Sequence, residues 1–309
     1  MKDKWLTSKI GIFVSAVLTA ILWGSAFPGI KMAYALLEIG SRDIWSQILF
    51  AGFRFTLAGV MTLGLIFFTR KKVLIPTRQE AKDFALLGFV LTYLCYFFFH
   101  VGLANTTGVK GAILGGLSTF ATILCSHFLT LDDKLNFRKC IGCVTGFLGI
   151  VIMNLGGDLS GFSFLGEGCM LANALCFGLG SVLSKKIANS RDSSFISGYQ
   201  LLFGGIGLLL TGALGGGHFR NFGPMAMALI LYMAFVSAGG FALWTGLLKR
   251  NPSSRVAIYH FLTPVFGAVF SAVLLGEDLF HFSSLGALIL VCLGIAVVNC
   301  DGIGRKKFF

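Results

Sequence analysis

Along this chain, long apolar runs alternate with short polar gaps. Ten runs can be read, at residues 10–37, 44–69, 81–104, 107–131, 140–154, 166–188, 194–214, 224–248, 252–275 and 280–300. Most approach or exceed the roughly 20 residues a helix needs to cross a hydrocarbon core. The pattern predicts an all-α integral membrane protein of ten transmembrane helices joined by short loops. Its first run follows Lys2, Lys4 and Lys9 much as a signal peptide would. A signal peptide's apolar region is only about 7–15 residues long, so this segment is expected to stay in the membrane.

Charge orients the helices. With the N-terminus taken as cytoplasmic, the inner segments carry Lys2, Lys4, Lys9; Arg70, Lys71, Lys72, Arg78, Lys82; Lys134, Arg138, Lys139; Lys185, Lys186, Arg191; Lys249, Arg250, Arg255; and Arg305, Lys306, Lys307. The outer gaps hold only Arg42, Lys110 and Arg220, while Lys31 and Arg54 lie inside runs. Twenty basic residues inside against three outside predict that both termini are cytoplasmic. A missed or extra helix would destroy this alternation.

Composition agrees. The 309 residues are 56% hydrophobic and 12% charged, with mean hydropathy +0.85, about half the charge a soluble domain needs. The net charge of +12 could suggest nucleic acid. The basic residues, however, sit in short gaps rather than in one patch, so no nucleic-acid partner is expected. Most of the eight cysteines fall in apolar runs, where a thiol packs as a small hydrophobe. Cys140 and Cys143 form a lone C-x-x-C with no second pair and no nearby His, so neither a disulfide framework nor a metal is expected. No phosphate-binding G-x-x-x-x-G-K-[ST] loop occurs, so the chain has no ATPase of its own. No cofactor and no catalytic residue are expected.

The chain repeats itself. Residues 147–154 (FLGIVIMN) resemble 292–299 (CLGIAVVN) at an offset of 145, which also pairs Asp132 with Glu277, Asp133 with Asp278 and Lys110 with Arg255. Trp23-Gly24 and Lys31 fall on Phe177-Gly178 and Lys185 at 154, and Arg54 falls on Gln200. Two repeats of five helices follow, over residues 1–157 and 158–309. Because five is odd, the second copy must insert upside down, as in secondary transporters.

Trp23-Gly24-Ser25-Ala26-Phe27, then Arg54-Phe55 with Ala58-Gly59, and finally Pro264 with Gly276-Glu277 resemble, in order and spacing, the ten-helix EamA-type members of the drug/metabolite transporter superfamily. The likeness covers nearly the whole chain. The second half departs from it by carrying Phe177-Gly178-Leu179 where the first has Trp-Gly-Ser. The resemblance implies a central cavity, alternating access, and transport of small polar metabolites across the plasma or bacterial inner membrane, most often export of amino acids. It also leaves room for a lipid-linked sugar flippase or a sugar or sugar-phosphate carrier. A membrane enzyme acting on lipid would need a cluster of His, Asp or Glu near one interface, and the sequence has none.

Candidate solute-binding residues are few. Arg54 sits mid-helix, where a charge costs at least about 2.5–3.5 kcal/mol without a partner or a wet cavity. It could hold a carboxylate or phosphate, or tie helices together through its five donors. Its repeat partner Gln200 is polar too. Lys31 could line the path or snorkel to the interface. Tyr259 and His260 stand one turn before Pro264, and a histidine there could bind solute or carry a proton, as could His100. Trp23, Phe27, Tyr96, Tyr199 and Trp244, with Ser25, could wall the cavity. Pro28 and Pro264 are candidate hinges. No Asp or Glu lies deep in a run, and Asp132 and Glu277 are expected to cap helices. Gly142-x-x-x-Gly146, with Gly198, Gly204 and Gly205, permits close helix approach or a homodimer face.

Overall fold

The computed structural model describes residues 5–40, 42–71, 74–106, 108–131, 133–153, 163–188, 191–275 and 282–299. Lys2, Lys4, Lys72, Asp132, Gly276, Glu277, Asp278, Arg305, Lys306 and Lys307 lie outside these, as does the side chain of Lys110. The described residues are helical, with no strand. The segments in chain order are α1 (Lys9–Leu36), α2 (Ile44–Arg70), α3 (Arg78–Ala104), α4 (Gly108–Leu129), α5 (Phe137–Met153), α6 (Phe164–Ala188), α7 (Ser193–Leu214), α8 (Pro224–Arg250), α9 (Ser253–Leu275) and α10 (Phe282–Asn299).

Seven of these, α1, α2, α3, α6, α7, α8 and α9, are long and apolar enough to cross a membrane. In α4 and α10 the apolar stretches are shorter, Leu114–Leu129 and Ile289–Val298. The 17-residue α5 spends its first turn on Arg138 and Lys139.

Local sequence sets the ends. Asp43 caps α2 by accepting from Ser46 N, Thr77 and Glu80 form a capping box on α3, and Asp192 caps α7. Lys71, with φ 51°, turns the chain out of α2. The expected caps at Asp132 and Glu277 fall outside the described residues, but the neighbouring Asp133 does cap a helix. Its carboxylate accepts from Ser254 N at the start of α9 (2.8 Å), from Ser126 Oγ of α4 (2.7 Å) and from Lys139 Nζ of α5 (2.6 Å).

Small residues set the packing. α2 and α7 make the most extensive contact, and α5 with α10, α3 with α6, α4 with α6 and α1 with α9 also pack closely. Along α2 and α7 two close approaches each occur twice with the partners exchanged. A Cβ on Gly52 would meet Leu209, and one on Gly198 would meet Leu63. A Cβ on Gly59 would stand 2.6 Å from Leu202 N, and one on Gly205 would stand 2.4 Å from Thr56 N. Likewise Gly24 lies against Phe266 and Gly267, and Gly178 against Ala121 and Thr122.

Ion pairs hold one end of the bundle. Arg191 reaches Glu80 (3.2 Å) and Asp83 (3.1 Å), Arg70 pairs with Asp192 (2.5 Å), and Lys249 Nζ donates to the Arg191 carbonyl (2.5 Å).

The two expected hinges behave differently. α1 runs through Pro28 as one continuous helix. α9 does change, but before its proline: residues Ile258–Phe261 tighten to a 3₁₀ turn, and Pro264 sits in the first turn of the α-helix that resumes at Leu262, where a missing N–H is tolerated.

Candidate functional site

Arg54 occupies the middle of α2 at 4% exposure. Its Nε donates to Ser237 Oγ of α8 at 2.7 Å, and its guanidinium carbon lies 4.9 Å from the Phe55 ring. Tyr34 of α1 and Tyr96 and His100 of α3 are within electrostatic reach of the charge. The Tyr34 hydroxyl and His100 Nδ1 are 3.0 Å apart, closing a small polar cluster between α1, α2, α3 and α8. Among the described residues no carboxylate pairs with Arg54.

An aromatic cluster adjoins it. Trp23 of α1 packs against Phe241 and Trp244 of α8, Phe177 of α6 and His260 of α9, with ring centroids 5.3, 5.4, 6.0 and 5.5 Å away. Phe241 also lies 6.3 Å from Phe55 and 6.5 Å from Tyr96, so a strip of rings leads from Trp23 to Arg54. Beside Trp23 is a narrow crevice lined by Thr19, Trp244, Tyr259, His260 and Thr263.

The structure therefore gathers Trp23, Arg54, Tyr96, Trp244, Tyr259 and His260. Other candidates stand elsewhere. Gln200 is buried between α7 and α3, where Nε2 donates to Thr92 Oγ1 at 3.1 Å. Tyr199 is drawn to the basic end by its hydrogen bond to the Leu74 carbonyl (3.0 Å) and its contacts with Phe84 and Phe195. Phe27 is 38% exposed and lies over Gly267. Ser25 accepts from Tyr232 Oη (2.7 Å) on an exposed face, and Lys31 is exposed near the end of α1. Phe27 thus lies one turn beyond Trp23 along the α1–α9 contact, and Tyr199 stands at the far side of the bundle from the Trp23 cluster, near Leu74. Among the described residues no group of three His, Cys, Asp or Glu could hold a metal ion.

Sequence reasoning passed over Tyr34, Phe177, Phe241, Ser237 and Thr263 as site residues. Ser237 carried a signal, since it lies 145 residues after Thr92 and both partner the Arg54–Gln200 repeat pair.

The EamA-like transporter family profile matches residues 9–155 and again 164–300. An "Uncharacterized transporter" of Archaeoglobus fulgidus is 27% identical, over 89% of this chain and 92% of its own. A "Probable amino-acid metabolite efflux pump" of Escherichia coli is 26% identical, over 95% and 96%. An "S-adenosylmethionine/S-adenosylhomocysteine transporter" of Chlamydia muridarum is 24% identical, over 94% and 91%. One crystal structure superimposes with a TM-score of 0.75 at 17% identity, over 94% of this chain and 97% of the other, a likeness of fold alone.

Proposed function

Because the chain belongs to the EamA-like transporter family and is a multi-pass membrane transporter of small molecules, we propose that it exports small polar metabolites, amino acids or close relatives foremost, across the plasma or bacterial inner membrane. In this reading ten transmembrane helices form two inverted five-helix repeats, residues 1–157 and 158–309, with both termini cytoplasmic, and the solute site is exposed to each side in turn. The profile's two successive matches and the exchanged contacts along α2 and α7 support the inverted repeat.

The observation that carries the solute class is Arg54. A guanidinium buried at membrane depth with, among the described residues, a single hydroxyl partner and no carboxylate is incomplete. A solute carboxylate completes it with a bidentate pair, and the rings between Arg54 and Trp23 receive the rest of the solute. Two relatives' names give amino-acid metabolites and S-adenosylmethionine/S-adenosylhomocysteine as solutes, and amino acids and both S-adenosyl compounds carry such a carboxylate.

The test is counterflow in proteoliposomes. Amino acids should exchange, and Arg54→Gln should abolish the exchange while the protein still elutes folded from a sizing column. Exchange of sugar phosphates or lipid-linked sugars with no amino-acid exchange would replace this reading. Exchange unaffected by Arg54→Gln would remove Arg54 from the solute site.

A further inference from the structure

Two residues that line the crevice between α1 and α9 each carry a buried polar atom with no hydrogen-bond partner among the described residues, Trp23 Nε1 and Thr263 Oγ1. Their residues are only 7% and 5% exposed. Buried polar groups are almost always satisfied, and in a bilayer an orphan costs more because water is scarce. The indole edge lies over Gly240 of α8, where a Cβ would stand 2.3 Å from Nε1, so this close approach needs glycine there. The Trp244 indole, a few ångströms away, is by contrast satisfied by Ser181 Oγ at 3.3 Å. The unpartnered hydroxyl also recurs at the equivalent place in the first repeat: Ser118, 145 residues before Thr263, is 3% exposed and also an orphan. Two repeats that leave the same hydroxyl open are consistent with a position facing the solute path.

We infer that this crevice is a second polar subsite, which takes a neutral hydrogen-bond-accepting group of the solute, such as a carbonyl or carboxamide oxygen. The chemistry of the orphans decides this. An indole N–H only donates, so its missing partner is an acceptor, and an ammonium group is excluded. The Thr263 hydroxyl can also donate to a neutral oxygen. Phe177, Phe241 and Trp244 surround Trp23 with apolar rings, which disfavour a second full charge. The inference rests on the proposed transport of carboxylate solutes and refines it: a carboxylate at Arg54, an apolar middle along Phe55 and Phe241, and an acceptor at Trp23 and Thr263.

Glutamine and norleucine make the test, since their side chains are of similar size and only glutamine carries the carboxamide. In counterflow competition on the full-length protein, glutamine should compete better than norleucine by about fivefold, the worth of one or two neutral hydrogen bonds. Thr263→Val and Trp23→Phe should each bring the ratio toward one, and Thr263→Ser should keep it. Thr263→Val should also raise the melting temperature of the solute-free protein, because it removes an orphan hydroxyl at almost constant volume; a purely structural hydroxyl would give the opposite sign. An unchanged ratio in Thr263→Val, with or without the gain in stability, overturns the inference. Equal competition, or none, by both probes in the wild type also overturns it. Failure of the Arg54 reading is seen separately, as exchange that survives Arg54→Gln.

Discussion

Arg54 with Ser237 and Gln200 with Thr92 are the same joint built twice. Each is a polar side chain in the middle of a crossing helix, α2 or α7, donating to a hydroxyl on the helix packed against it, α8 or α3, at 2.7 and 3.1 Å. The hydroxyl partners are 145 residues apart. Gln200 serves this joint with a neutral amide, so the joint does not require charge. What Arg54 adds is two further nitrogens and a positive charge, facing Tyr34, Tyr96 and His100. On the proposed reading, the shared part is scaffold and the difference is the part available to a solute.

Exchanging the residues should break the comparison most severely. Gln200→Arg puts an unpaired charge into the closed α3–α7 contact and should cost about 3–5 kcal/mol, seen as loss of folded, monodisperse protein. Milder damage is expected at the hydroxyls. Ser237→Ala and Thr92→Val each orphan a buried donor, at about 1–3 kcal/mol. Both should lower the melting temperature, but only Ser237→Ala should also impair exchange; equal loss of exchange in both would mean that the joints do not differ in function.

The smallest effect concerns pH and a second repeat pair, Asp133 and Asp278. Burial alone would raise the pKa of Asp133, but hydrogen bonds from Lys139, Ser254 and Ser126 outweigh it and hold the carboxyl below its ordinary 3.8. Its contribution to stability is therefore complete above that value and is lost as pH falls through the lower, folded-state pKa. Wild-type melting temperature should decline below about pH 4 more steeply than that of Asp133→Asn. Parallel curves would remove Asp133 as the clasp of α9.

Much of this was legible in the chain. Run length predicted an all-helical, multi-pass chain, because helices long and apolar enough to cross a membrane leave an unmistakable pattern. Arg54 stood out because charge at membrane depth is rare. The aromatic cluster was only half legible. Trp23, Trp244 and His260 come together while Phe27 and Tyr199 do not, and in runs so rich in apolar residues no stripe tells the face turned inward from the face turned to lipid. Thr263 gave no signal, since an unpartnered hydroxyl is defined by what its neighbours fail to offer.

The π-helical stretch Gly88–Leu94 in α3 bears on how such a site is kept in phase. Thirty-eight residues separate Arg54 from Thr92, and thirty-seven separate Gln200 from Ser237. A π turn absorbs one residue without breaking a helix, and in a helix one residue is about 100° of rotation. The wide turn thus works like a leap day in a calendar: it lets Thr92 keep its appointment with Gln200 and, farther along, Tyr96 and His100 theirs with Arg54. Without that extra residue the same letters would spell a helix whose tyrosine and histidine face elsewhere. Length in this stretch, and not only residue identity, is therefore part of the site.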